Sequence, residues 1–171
     1  MNLLLVQKEG VDLYRTLLAS ETSRRILRFY RPDRVNYGVF IKSGTLGSVL
    51  SLVSELNWYI RRYVSIVLLE ISEDLYCTLS FAQDIYEREQ KLHISKDCHK
   101  IVGIKNGSLS GEIWMEAGSS KEDYPDFTDN MDYVLEVLCS EWEISCDSIL
   151  PEMSKTDETE IKSESEESEL T

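Results

Sequence analysis

Apolar positions along this chain recur with two different periods, and the places where the period changes mark out its elements. Leu3-Leu4-Leu5-Val6 is a short apolar run that reads as the first turn of a helix or a short strand. Between residues 11 and 30, Val11, Leu13, Leu17 and Leu18 alternate with polar residues at helical spacing, and Ser20, Thr22 and Ser23 suggest a break or a new N-cap. After Pro32 the period falls to two, so that Val35, Tyr37, Val39 and Ile41 predict one strand over residues 35–41. Thr45 is placed to cap a helix that carries Leu46, Val49, Leu50, Val53, Leu56 and Ile60 on one face and runs to Arg62.

Residues 64–71 are nearly continuously apolar, as expected of a central strand, and residues 75–82 alternate, as expected of its hairpin partner. Residues 84–100 have no clear period and read as an exposed connection. Asn106-Gly107 between two apolar runs is a hairpin signal that joins residues 101–105 to residues 109–115. Thr128 then predicts the start of a last helix with Met131, Val134, Leu135, Leu138 and Trp142 as its apolar stripe. The expected fold is therefore α+β, with a mostly antiparallel sheet of about five strands covered by two or three helices. An N-terminal helical and basic segment (1–34) should precede a globular core (35–146).

Composition changes this picture at the C-terminus. Residues 152–171 hold 8 acids, 2 lysines and no aromatic residue, too little apolar surface to offset the cost of ordering, so residues 147–171 are expected to form a disordered acidic tail. Charge divides in the same way. Residues 1–110 carry 15 Lys+Arg against 12 Asp+Glu, and residues 111–171 carry 3 against 19, so the last third makes the whole net charge of −13. Within the basic part, residues 23–34 hold five arginines, Arg24, Arg25, Arg28, Arg31 and Arg34, with Ile26, Leu27, Phe29 and Tyr30 between them. Arg61 and Arg62 form a second group beside Trp58, Tyr59 and Tyr63. Arginine with interleaved aromatics suits lipid headgroups or nucleic acid. The same residues also suit helix C-termini, where cations complement the dipole, or pairing with acids of the C-terminal third.

Catalytic signatures are missing from the sequence: it has no GxSxG, Walker A, GxGxxG, HExxH or DxDxDG motif, and its two histidines are His93 and His99. We expect no enzyme, no cofactor and no metal. His93, Cys98 and His99 lie close together but match no standard zinc spacing. Cys77, Cys98, Cys139 and Cys146 lack CxxC spacing and read as reduced thiols. Residues 137–141 approach the LxCxE ligand motif, but valine stands where that motif needs leucine, and the same residues supply the buried stripe of the last helix, so the structural reading dominates.

The order of elements resembles the globular core of rhabdovirus matrix proteins. The resemblance runs over residues 30–145: a basic aromatic lead-in, the strand at 35–41, the helix at 45–62 with Trp58 near its end, the strand at 64–71, the apolar-Gly-apolar-Lys hairpin Ile101-Val102-Gly103-Ile104-Lys105-Asn106-Gly107, and then an acidic loop and a helix ending in a tryptophan, Asp129 to Trp142. The chain length is similar to that of the small cytorhabdovirus matrix proteins of plants. Two departures are the lack of the family's usual lysine-rich N-terminal arm with its PPxY or PTAP motif, and the acidic tail that follows the core. The resemblance implies a non-enzymatic protein of the virion and host cytoplasm that self-associates, condenses the viral nucleocapsid and joins it to the inner face of a membrane. On this reading Arg24, Arg25, Arg28, Arg31, Arg34, Arg61 and Arg62 meet an anionic surface, and Leu3, Leu4, Leu5 and Val6 dock on a neighbouring copy. The alternative is a small viral or host regulatory protein, such as an RNA-silencing suppressor or an acidic-tailed interaction adaptor, whose arginines hold RNA.

Overall fold

The computed structural model describes residues 1–88 and 98–147. Residues 148–171 of the expected acidic tail, and His93, lie outside them. The chain starts in β1 (Asn2–Gln7), followed by α1 (Leu13–Ala19), α2 (Glu21–Ile26) and a 3₁₀ turn at Leu27–Phe29. A hairpin of β2 (Pro32–Val35) and β3 (Gly38–Lys42) leads to α3 (Leu46–Glu55), α4 (Asn57–Tyr63), β4 (Val64–Ser72), β5 (Leu75–Thr78) and α5 (Leu79–Arg88). The last described elements are β6 (His99–Lys105), β7 (Ser108–Trp114), a 3₁₀ turn at Lys121–Asp123, α6 (Pro125–Thr128), β8 (Tyr133–Leu138) and α7 (Glu141–Asp147).

The fold is α+β, as the periodicity predicts, but the sheet has eight strands, in the order β2-β3-β1-β4-β5-β8-β6-β7. All neighbours are antiparallel except β5 and β8. Leu3 and Leu5 face the core under α1–α5, and Leu4 and Val6 face a second core on the other side of the sheet with Leu68, Tyr76, Val102, Ile104 and Val137. This second core is enclosed because the sheet curls. At one end of the sheet the β6–β7 turn meets the end of β1, where Gln7 Nε2 donates to Gly107 O at 3.1 Å, and Tyr37 of the β2–β3 turn sets its ring 4.9 Å from that of Tyr133 at the start of β8.

Four further differences from the sequence reading have identifiable causes. The expected strand at 35–41 is a hairpin, since Val35 pairs with Gly38 and Asn36-Tyr37 make the turn. The expected strand at 75–82 ends at Thr78, whose hydroxyl accepts from Phe81 N at 3.2 Å and starts α5. The expected helix from Thr128 is largely β8, because Tyr133–Leu138 is held between β5 and β6 with Leu135 and Val137 on the inner face and Leu138 on the helix face. An apolar stripe at 134, 135, 137 and 138 fits either period, and pairing on both sides decides it. Leu56 also divides the expected helix at 45–62 into α3 and α4, while Thr45 caps α3 as predicted, accepting from Ser48 N at 3.2 Å.

Residues 1–34 are not a separate segment, because β1 lies between β3 and β4. Leu3, Leu4, Leu5 and Val6 are at most 1% exposed, so they have no surface to offer another copy. Their assignment to self-association is overturned: an all-apolar run buried on both faces is the signature of a central strand.

Candidate functional site

The arginines and aromatics singled out in the sequence sit on the helical layer. Ser20 ends α1 in an extended conformation and leads directly into α2. Its hydroxyl shares a 2.6 Å hydrogen bond with the Tyr59 hydroxyl, which ties this corner to α4. That bond holds the Tyr59 phenol below its ordinary pKa against the opposing effect of burial. Tyr59 faces inward and the preceding Trp58 faces out, 55% exposed. The Arg62 guanidinium lies over the Trp58 ring at 4.7 Å, and Tyr59 and Tyr63 meet the indole edge-on at 4.9 and 6.2 Å. Between α1 and α4 is an open groove of about 560 Å³, whose lining includes Arg15, Thr16, Ser20, Trp58 and Tyr59.

The arginines divide by partner. Arg34 is bound to Asp12 at 2.7 Å, and Arg25 pairs with Glu21 at 3.3 Å with both side chains well exposed. Among the described residues, no carboxylate lies within ion-pair distance of Arg15, Arg24, Arg28, Arg31, Arg61 or Arg62. None of the predicted arginines therefore pairs with an acid of residues 111–147. Those acids have local roles instead: Asp123 closes a capping box with Ser120, Asp132 accepts from Asn106 N, and Glu143 accepts from Ser140 N and from Thr78. Arg24 and Arg25 stand in the last turn of α2, and Arg61 and Arg62 in the last turn of α4, where each also complements the dipole. Arg28 lies 5.9 Å from the ring of Phe29, which is 87% exposed.

The site thus has two neighbouring parts. One is an exposed tip with Arg24, Arg25, Arg28 and Phe29. The other is the concave groove with Arg15 and Trp58. The break at Ser20 is legible in the sequence, but its bond to Tyr59 and the place of Arg15 in the groove are not, because both depend on how α1 and α4 come together, although Asp12 and Arg15 carry the N-cap spacing that places α1. Among the described residues no cluster of His, Cys, Asp or Glu is placed to hold a metal, and no helix is long and apolar enough to cross a membrane.

One family model matches residues 1–104, from β1 into β6 and more than half of the chain. The chain belongs to the DUF5804 family. That family is described as one of unknown function, and the matched part of this DUF5804 chain includes the groove and every arginine discussed above. Neither the curated proteins nor the solved structures provide a match to it.

Proposed function

We propose that the chain is a non-enzymatic adaptor of matrix type, which meets an anionic membrane leaflet with the tip around Phe29 and a nucleic-acid-bearing partner with the groove beside it. The observation that carries the membrane contact is the exposure of Phe29 next to three arginines of α2 and its 3₁₀ extension. A phenylalanine left in water forgoes about 2 kcal/mol of burial, which insertion at a lipid interface recovers while the arginines reach phosphates. Any contact between copies uses a surface other than β1.

Each arginine near an anionic leaflet contributes on the order of 1 kcal/mol, so Arg24→Ser, Arg25→Ser and Arg28→Ser together should weaken binding to anionic vesicles by roughly two orders of magnitude. Phe29→Ala should weaken it further without changing the salt dependence. Flotation with vesicles of phosphatidylcholine, with and without phosphatidylserine, measures both effects. Unchanged flotation of the triple variant would remove the membrane contact.

The runner-up, an RNA-holding regulatory protein without a membrane partner, is favoured by the Trp58–Arg62 stack. It predicts RNA binding in a protein that floats with neither kind of vesicle.

A further inference from the structure

We infer that the groove between α1 and α4 holds one nucleotide of a single-stranded nucleic acid, its base against Trp58 and its phosphate on Arg15. This deepens the nucleic-acid contact proposed above and rests on it.

The ring platform is already organised. Trp58 is braced edge-on by Tyr59 and Tyr63 and covered by Arg62 at 4.7 Å, yet more than half of the residue remains open to solvent. A base that stacks there meets a ring whose position is fixed before binding, so little ordering is required. A lipid headgroup has no planar ring to use this platform.

Charge points to the same ligand. Asp12 is the one carboxylate lining the groove, and both of its oxygens are engaged, one by Arg34 at 2.7 Å and the other by Arg15 N at the start of α1. Arg15 has no carboxylate within ion-pair distance among the described residues. The groove is therefore locally cationic in a chain whose net charge is −13. The paired hydroxyls of Ser20 and Tyr59 add polar atoms within reach of a sugar or a base edge. Cations continue past Trp58 along α4 with Arg61 and Arg62, and Lys8 Nζ donates to Arg61 O at 3.0 Å. An open groove with positive charge continuing beyond it fits a strand better than a free mononucleotide.

The test is fluorescence anisotropy of a labelled oligouridylate of about ten nucleotides, a length within the range of single-strand site sizes, added to the full chain over a salt series. The intact protein should bind it. Trp58→Ala should weaken binding roughly ten-fold, and Trp58→Phe should retain most of it. Arg15→Gln should make the fall of affinity with salt shallower by about one phosphate contact. Thermal unfolding of each variant checks the fold, and Trp58→Phe and Arg15→Gln carry the test should Trp58→Ala fail to fold. No binding by the intact protein would overturn the inference and the nucleic-acid contact together. Binding that neither Trp58 nor Arg15 affects would overturn the groove alone. Uridine monophosphate that competes as well as the oligomer would overturn the strand.

Discussion

Cys77 lies in the core beneath the helices and Cys139 in the core inside the curl of the sheet. Burial is the main cause that pushes both thiols from 9.0 up to about 12, and the charge of Glu143 adds to it in each case. Burial likewise raises the Tyr76 phenol from 10.0 to about 12. These groups stay protonated in the folded protein at a pH where the unfolded chain gives up their protons. Their contribution to stability is complete below pH 9 and is lost as pH rises towards 12. Each thiol that titrates only in the unfolded chain costs about 1.4 kcal/mol per pH unit in that window. Urea unfolding midpoints measured upward from pH 8 should therefore decline from about pH 9, and Cys139→Ala should flatten part of the decline. A midpoint constant to pH 11 would show that the thiols are hydrated. Lys100 marks the limit of reading single residues. In the sequence it falls in an exposed connection, but in the fold it is 8% exposed, bound to Glu112 at 2.7 Å and set over Trp114 at 5.2 Å. Nothing local to Lys100 announces this, because its partners come from the next strand.

At the scale of elements, the hairpin of β2 and β3 depends on Gly38. A Cβ there would stand 1.9 Å from Leu5 O and 2.9 Å from Leu5 C, backbone atoms of the central strand that cannot move aside. Gly38→Ala should separate β1 from β3 and cost about 3 kcal/mol or more, whereas Gly44→Ala, which meets nothing within 4 Å, should be nearly neutral. Chemical denaturation of the two variants makes the comparison, and equal midpoints would contradict the close approach. Glycine inside an apparent strand is the sequence signal of such an approach. The turn itself was hidden because neither Asn36 nor Tyr37 has the positive φ that marks a glycine-rich hairpin, in contrast to Asn106-Gly107, where both residues have it and the hairpin was legible. The strand β8 was misread for a different reason, since its pattern fits two periods and only β5 and β6 select between them.

For the whole molecule, the α+β class and the antiparallel character were legible from period and turn chemistry. The strand count and the strand order were not, because they depend on pairings such as Cys77 with Leu138, 61 positions apart. The family match ends in β6, yet β8 beyond it fills the space between β5 and β6. A fragment of residues 1–104 would lack β7 and β8, leaving Tyr76, Val102 and Ile104 without the inner face of β8. We expect that fragment to bind a hydrophobic dye and to show poor amide dispersion by NMR, while the intact chain shows neither property. A dispersed spectrum from the fragment would mean that the matched region folds alone.

The central position of β1 also has a cost in time. Leu3 pairs with Ile41 and Leu69, 38 and 66 positions later in the chain. During synthesis this apolar strand is made well before either neighbour exists, and one of its two edges stays unpaired until β4 has cleared the ribosome. Local structures such as the β6–β7 hairpin close in microseconds once made, but β1 must wait for distant partners. The nascent chain therefore passes through an interval in which an all-apolar strand lacks its final cover, a natural point of engagement for a chaperone.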